Sequence, residues 1–253
     1  MPLPPFCMQF SHRFAPKLIA ACAAFAWAST ALATQNTCAA QSAATLTPVI
    51  ELYTSEGCSS CPPADQWMST LKPAHAKGQV VAQAFHVNYW DYIGWKDPFA
   101  APQYTQRQRQ ISAASKLDGI YTPQLVKNGL TVRDYVRPGA SSTPALAQIS
   151  LSQTAPDSFE AAITPNDDKA NWTAYYTVTE HGHVSRVTAG ENKGETLAHD
   201  FVVRQYVALG SYAGMQKLKI NALPGSDKYP RQINLVVTDS KTGRPLQALS
   251  AGC

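Results

Sequence analysis

Cys58 and Cys61 stand two residues apart in "TSEGCSSCPPADQ", and two prolines follow them at once. Cysteines at this spacing exchange disulfides as a reactive dithiol, clamp a metal ion, or close into a structural staple. Reactivity requires a thiolate. A thiolate is favoured where unpaired N–H groups and the positive end of a helix dipole face the sulfur, and in Cys-x-x-Cys motifs the pKa can fall from about 8.5 to between about 3.5 and 7.5. Pro62 and Pro63 supply the placement, because proline fits only the first turn of a helix. The sequence therefore predicts a regular helix from near Ser59 or Ser60, with Cys58 at its amino end as the attacking sulfur. Cys61, one turn inward, resolves the mixed disulfide. Glu56 opposes ionisation of Cys58 if its carboxylate lies close.

The flanking segments fit this placement. Upstream, "PVIELYTS" from Pro48 reads as a buried strand. Downstream, Ala64, Trp67, Met68 and Leu71 fall at i, i+3, i+4 and i+7, one face of a helix that ends before Pro73. "QVVAQAFHVNYW" reads as a second interior strand, and a strand, helix and strand in succession predict a right-handed β-α-β unit. "YTQRQRQISAASKL" is helix-compatible, and Asn128-Gly129 between two short strand-like runs predicts a two-residue hairpin. Pro123 precedes that hairpin, either as a trans proline at a strand start or as a cis proline beside the thiols. "TPALAQISLS" reads as a short helix, residues 153–168 as a linker, and residues 169–253 as strands and turns forming a β-sandwich-like module.

Compartment decides what a cysteine pair means. Arg13 and Lys17 precede the apolar run Leu18–Leu32, and Ala31 and Ala33 form an A-x-A-like cleavage site, so residues 1–33 read as a secretory signal. The mature chain would start with an extension over 34–47 and would be periplasmic or secreted, with no integral membrane span. Two of the 21 basic residues leave with the signal; the 19 that remain face 17 acidic ones, without the basic runs that track nucleic acid. Cys7 and Cys22 leave too. Cys58 can pair with Cys61 by proximity, and Cys38 with Cys253, or the latter two can stay free.

Five blocks carry a resemblance: "VIELYTSEGCSSCPPAD", "AFHVNYWDYIGWKDPFAAPQYTQRQR", "YTPQLVKNG", "GENKGETL" and "FVVRQY". From about Val49 to nearly the carboxyl end the chain resembles the exported, thioredoxin-like bacterial family catalogued as domain of unknown function 1223. The resemblance implies an α/β, thioredoxin-like fold over 48–152 with the cysteine pair at a strand-to-helix turn and Pro123 as the cis proline facing it. The family usually has "HVDYWD", so Asn88 replaces an acid here.

Other residues offer weaker signals. Glu51, an acid in an apolar strand, either helps deprotonate the resolving thiol or faces water at a strand edge. His86 is either a satisfied structural residue or a group holding a proton or soft metal beside the thiols. Trp90, Tyr92, Trp95 and Phe99 read as packing of a long loop, Asp91 and Asp97 as caps, and "GENKG" as a tight turn. Three functions follow. The first is a thiol-disulfide oxidoreductase without cofactor, acting on client proteins or small-molecule thiols and disulfides. The second is a Cu(I) binder using Cys58, Cys61 and His86; zinc is disfavoured, because neither a second Cys-x-x-Cys nor a clustered His pair appears. The third is a binding module with a structural disulfide.

Overall fold

The computed structural model describes residues 38–135 and 139–253, so the leader segment lies outside the described residues. Among these, strand β2 (Val49–Thr54) is buried along its whole length, and β3 (Val81–His86) lies parallel to it, with Val49 opposite Val81. Between them come α1 (Pro62–Ser69) and α2 (Lys72–Ala76). The helix begins at Pro62 rather than near Ser59. Neither Pro62 nor Pro63 has an N–H to offer a carbonyl four residues back, so the first bond of that type runs from the Asp65 N–H to the Cys61 carbonyl, 3.2 Å. Pro73 does not end the helical stretch. It sits in the first turn of α2, where its missing N–H costs nothing.

A loop with a 3-10 turn at Asp91–Ile93 leads to α3 (Pro102–Ala114). Strands β4 (Gln124–Lys127) and β5 (Leu130–Val132) form the hairpin expected at Asn128-Gly129. Both turn residues have positive φ, 50° and 78°, the backbone that favours Asn and Gly in such a turn. Beyond it the segment read as a helix is strand β6 (Ala147–Ala155), preceded in the fold by the short β1 (Ala39–Gln41) that pairs with it. Apolar Ala147, Ile149 and Leu151 alternate with polar residues there, and this period of two prevails over local helix propensity. The expected linker is likewise strand: β7 (Ser158–Pro165) buries Phe159, Ala161 and Ile163.

The remaining strands are β8 (Asn171–Glu180), β9 (His183–Arg186), β10 (Thr196–His199), β11 (Val202–Ala213), β12 (Gln216–Asn221), β13 (Arg231–Asp239) and β14 (Pro245–Ala251). They do not form a module of their own. One eight-stranded mixed sheet runs β14-β13-β8-β11-β3-β2-β4-β5, so strands from both halves of the chain share a sheet, joined where Val202 of β11 pairs with Ala84 of β3. A second sheet, β1-β6-β7-β12, packs on the β8 and β13 end through Ile149, Phe159, Ile163, Trp172, Tyr176 and Leu235. The described residues fall in one unit, and none of its helices is long and apolar enough to cross a membrane.

Side-chain alternation sets the layers. Ile50, Leu52, Ala82 and Ala84 meet Ala64, Met68 and Leu71 of the α1 region on one face. Tyr53, Phe85 and Val126 meet Tyr104 of α3 on the other. A disulfide joins Cys38 to Cys253, tying the two described ends of the chain together.

Candidate functional site

Cys58 and Cys61 are disulfide-bonded in the turn between β2 and α1, with Cα atoms 5.4 Å apart. Two successive tight turns form it, from the Cys58 N–H to the Ser55 carbonyl (3.2 Å) and from the Cys61 N–H to the Cys58 carbonyl (3.1 Å). Cys61 is the N-cap of α1, and Cys58 lies one turn further out than the proline argument places it. Gly57 is required at its position: a Cβ there would come 2.9 Å from the Cβ of Trp90. Trp90 in turn donates its indole N–H to the Thr122 hydroxyl, 2.8 Å. The Thr122–Pro123 peptide is cis, and Pro123 leads into β4, the antiparallel neighbour of β2. One indole thus fastens the cysteine turn to the proline segment.

The "GENKG" turn does more than reverse the chain. Asn192 donates from its side-chain amide to the carbonyls of Glu56 (2.8 Å) and Cys58 (3.0 Å), and the exposed Glu191 carboxylate accepts the Ser59 N–H at 2.9 Å. Bonds from the backbone N–H and the side chain of Ser59 hold Glu191 below the usual carboxylate range. Cys58 itself is 1 % exposed.

Behind the turn lies a buried polar cluster. The Glu56 carboxylate accepts the Trp95 indole N–H at 2.8 Å and meets His199 Nε2 at 3.0 Å. Asp97 Oδ2 accepts the Glu56 N–H at 2.9 Å and meets His86 Nδ1 at 2.7 Å, while its Oδ1 caps Phe99 N–H, so the capping role expected for Asp97 is half of what it does. Asp65, on the first turn of α1, accepts the Thr54 hydroxyl at 2.8 Å and has Oδ1 3.9 Å from His199 Nδ1. The rings of His86, His199 and Phe99 pack edge to face. Burial would raise the Asp97 carboxyl, but the adjacent His86 and the two backbone N–H groups hold it below its ordinary value. Burial would also keep His199 neutral; the carboxylates of Asp65 and Glu56 overcome this and push it up to about 10.

Of the residues singled out from sequence, Cys58 and Cys61 share one turn, which Trp90 ties to the Thr122–Pro123 segment, and His86 lies on the α1 face. The structure does not bring Glu51 there. Glu51 points to the α3 face, where its carboxylate takes Arg107 Nη2 (2.5 Å) and Tyr175 OH (2.7 Å) on one oxygen and Tyr53 OH (2.7 Å) on the other. His86 keeps company with Asp65, Asp97 and His199. The aromatic loop divides: Trp90, Trp95 and Phe99 pack inward, whereas Tyr92 is 83 % exposed. Asn88 accepts the Thr105 hydroxyl at 2.7 Å, a bond between the loop and α3. Sequence reasoning missed Asp65, Asn192 and His199. Asp65 reads as an ordinary first-turn acid, and the other two come from a segment more than a hundred residues away.

No curated protein matches the chain. A crystal structure of a protein from Agrobacterium tumefaciens is 25% identical, with 82% of this chain and 94% of that one covered and a TM-score of 0.58. The structure of HBP35 of Porphyromonas gingivalis, 14% identical, covers 83% of this chain and 76% of its own at a TM-score of 0.57, and so speaks to fold alone. The family model described as "Protein of unknown function (DUF1223)" matches residues 49–238, and the chain belongs to that family.

Proposed function

We propose that the protein is an exported thiol-disulfide oxidoreductase with a thioredoxin-like core, in which Cys58 is the attacking and Cys61 the resolving sulfur. The observation that carries the reading is the pair's position: a disulfide in the turn from the buried β2 into α1, tied through Gly57, Trp90 and Thr122 to the segment holding Pro123. A staple needs none of this apparatus. In the reduced form the Cys58 thiolate attacks a client disulfide, forms a mixed disulfide and releases one client thiolate. Cys61, deprotonated, then attacks the Cys58 sulfur, expels the second client thiolate and closes the Cys58–Cys61 bond. Two electrons pass to the client, whose thiolates take up the two protons. The same steps in reverse oxidise a client dithiol.

Two features bear on how the step proceeds. Cys61 at the α1 N-cap lies at the positive end of the helix dipole, which favours a thiolate. Cys58 is covered in the closed form, so exchange with a client needs the cysteine turn to open, and the Asn192 bond to the Cys58 carbonyl opposes that opening. The test is the equilibrium of the Cys58–Cys61 bond with a glutathione redox buffer, read by alkylation and peptide mass so that Cys38–Cys253 is counted separately. The reading predicts a bond that interconverts within the glutathione range and disulfide-exchange turnover abolished by Cys58→Ser. A bond that stays oxidised throughout, with no turnover, refutes it in favour of a structural disulfide.

A further inference from the structure

The buried cluster behind the disulfide holds two histidines whose second nitrogens are unpaired. His86 and His199 each have one ring nitrogen on a carboxylate, Asp97 and Glu56 respectively, which fixes ring orientation and turns the other nitrogen inward. Histidines that bind metals are held in this manner, by a carboxylate on the far nitrogen. Here the arrangement occurs twice. The inward nitrogens, His86 Nε2 and His199 Nδ1, are buried and have no hydrogen-bond partner, although the side chains are 0% and 2% exposed. At 3.9 Å from Asp65 Oδ1, His199 Nδ1 is too far for a hydrogen bond. One ligand atom from each of Asp65, His86 and His199 lies within 4.8 Å of the other two.

Charge points the same way. Glu56, Asp65 and Asp97 are three buried carboxylates, and among the described residues no lysine or arginine is paired with any of them. Their counter-charge rests on imidazoles alone, and buried charge left uncompensated is costly. A divalent ion would answer both the charge and the two orphaned nitrogens.

We infer that Asp65, His86 and His199 bind one divalent transition-metal ion of the zinc class, with the fourth position open. Two imidazoles and one carboxylate exclude ions that take only oxygen ligands, such as magnesium and calcium. Three protein ligands with an open fourth position is an arrangement zinc adopts. In tetrahedral coordination at about 2.0–2.1 Å the ligand atoms stand about 3.3 Å apart, so the widest pair closes by at most about 1.5 Å on binding. Asp97 and Glu56 orient the two rings, and Trp95 orients Glu56. Neither cysteine belongs to the set, so the site is separate from the Cu(I) clamp considered from sequence and does not depend on the redox reading.

The experiment uses the chain with both disulfides intact, stripped with a chelator and titrated with zinc chloride by calorimetry and elemental analysis. One zinc per chain is expected. Asp65→Asn or His199→Gln should weaken binding by about 100-fold, and Asp97→Asn, which removes the carboxylate behind His86 without removing a ligand, by about 10–100-fold. Replacing both Cys58 and Cys61 with serine should leave affinity unchanged, and a cobalt(II) derivative should show no thiolate-to-metal charge-transfer band. Absence of stoichiometric zinc in the folded wild-type chain overturns the inference whether or not any variant folds. So does binding that survives Asp65→Asn and His199→Gln, or that disappears with the cysteines. Failure of disulfide exchange leaves it standing.

Discussion

Replacing Arg107 with methionine tests what holds the α3 face of the sheet, and whether Glu51 has any part in the thiol chemistry. Glu51 is 2 % exposed and takes three bonds, from Arg107, Tyr175 and Tyr53. Burial alone would raise its carboxyl; Arg107, helped by the two phenols, brings it below the ordinary value. Methionine keeps most of the aliphatic stem but deletes the charge, and with it the guanidinium that lies over Phe85, Tyr175 and Tyr206. For charge centres about 4 Å apart at an effective dielectric of about 20, the lost attraction is about 4 kcal/mol. That agrees with the roughly 3–5 kcal/mol measured when one partner of a buried pair is removed. For a chain of this size the midpoint of thermal unfolding should fall by about 8–15 °C at pH 7.

The sign with pH is fixed. In the wild type the folded Glu51 pKa is lowered, so its contribution is present above the unfolded carboxyl pKa and is lost as pH falls through the folded value. Without Arg107 the folded pKa rises above the unfolded one, and the deficit of the variant shrinks as pH falls toward about 5. Arg107→Met combined with Glu51→Gln removes both charges and should recover most of the loss. Urea unfolding of the four members of this cycle, from pH 5 to pH 8, gives the coupling directly. In every folded member the kinetics of Cys58–Cys61 reduction should match the wild type, because Glu51 lies on the far face. A single variant that costs under about 1 kcal/mol, or a double variant no better than the single, refutes the ion-pair reasoning. Altered thiol kinetics in Glu51→Gln would refute the assignment of Glu51 to structure alone.

Asn192→Ala removes two hydrogen bonds to the cysteine turn; at about 1 kcal/mol each the open form should gain about 30-fold, and dithiothreitol should reduce Cys58–Cys61 correspondingly faster. An unchanged rate would mean that the 190–194 turn does not gate the sulfurs. His75, 4 % exposed, is lowered to about 4 by burial, so stability is full above about pH 6.5 and falls by up to about 3 kcal/mol as pH drops toward 4. His75→Gln should flatten that part of the pH profile in thermal unfolding. Replacing Cys38 and Cys253 with alanine opens a loop of 215 residues and should cost about 3–5 kcal/mol in denaturant unfolding, without changing the exchange behaviour of Cys58–Cys61.

What the sequence made legible was local. The strand before Cys58, the apolar stripe after Cys61, the Asn128-Gly129 turn and the pairing of Cys58 with Cys61 each rest on contacts or steric rules that a short window contains, whereas the Cys38–Cys253 pair, 215 residues apart, was left open. The helix start was misplaced by the length of one turn, because a proline limits where a helix can begin without saying that it begins as early as it can. "TPALAQISLS" and residues 153–168 were misread because Ala and Ser carry weak period-two signals, and only a facing sheet turns them into strands. The acid cluster was illegible for a different reason. Glu56, Asp65, Asp97 and His199 come from a turn, a helix, a loop and the end of β10, and no spacing rule links segments that meet only across the folded chain.

The shared eight-stranded sheet sets an order of events for a chain delivered amino end first. Strands β2 and β3, with both cysteines, emerge early, yet the partner that β3 needs on its open side is β11, and the residues that clamp and back the cysteine turn, Asn192 and His199, arrive just before it. Pairings so distant in sequence form late. Until then the first half of the chain has an unpaired strand edge and two uncovered sulfurs, open to any passing thiol or disulfide. Completion of the second half is thus also the moment at which the sulfurs are covered.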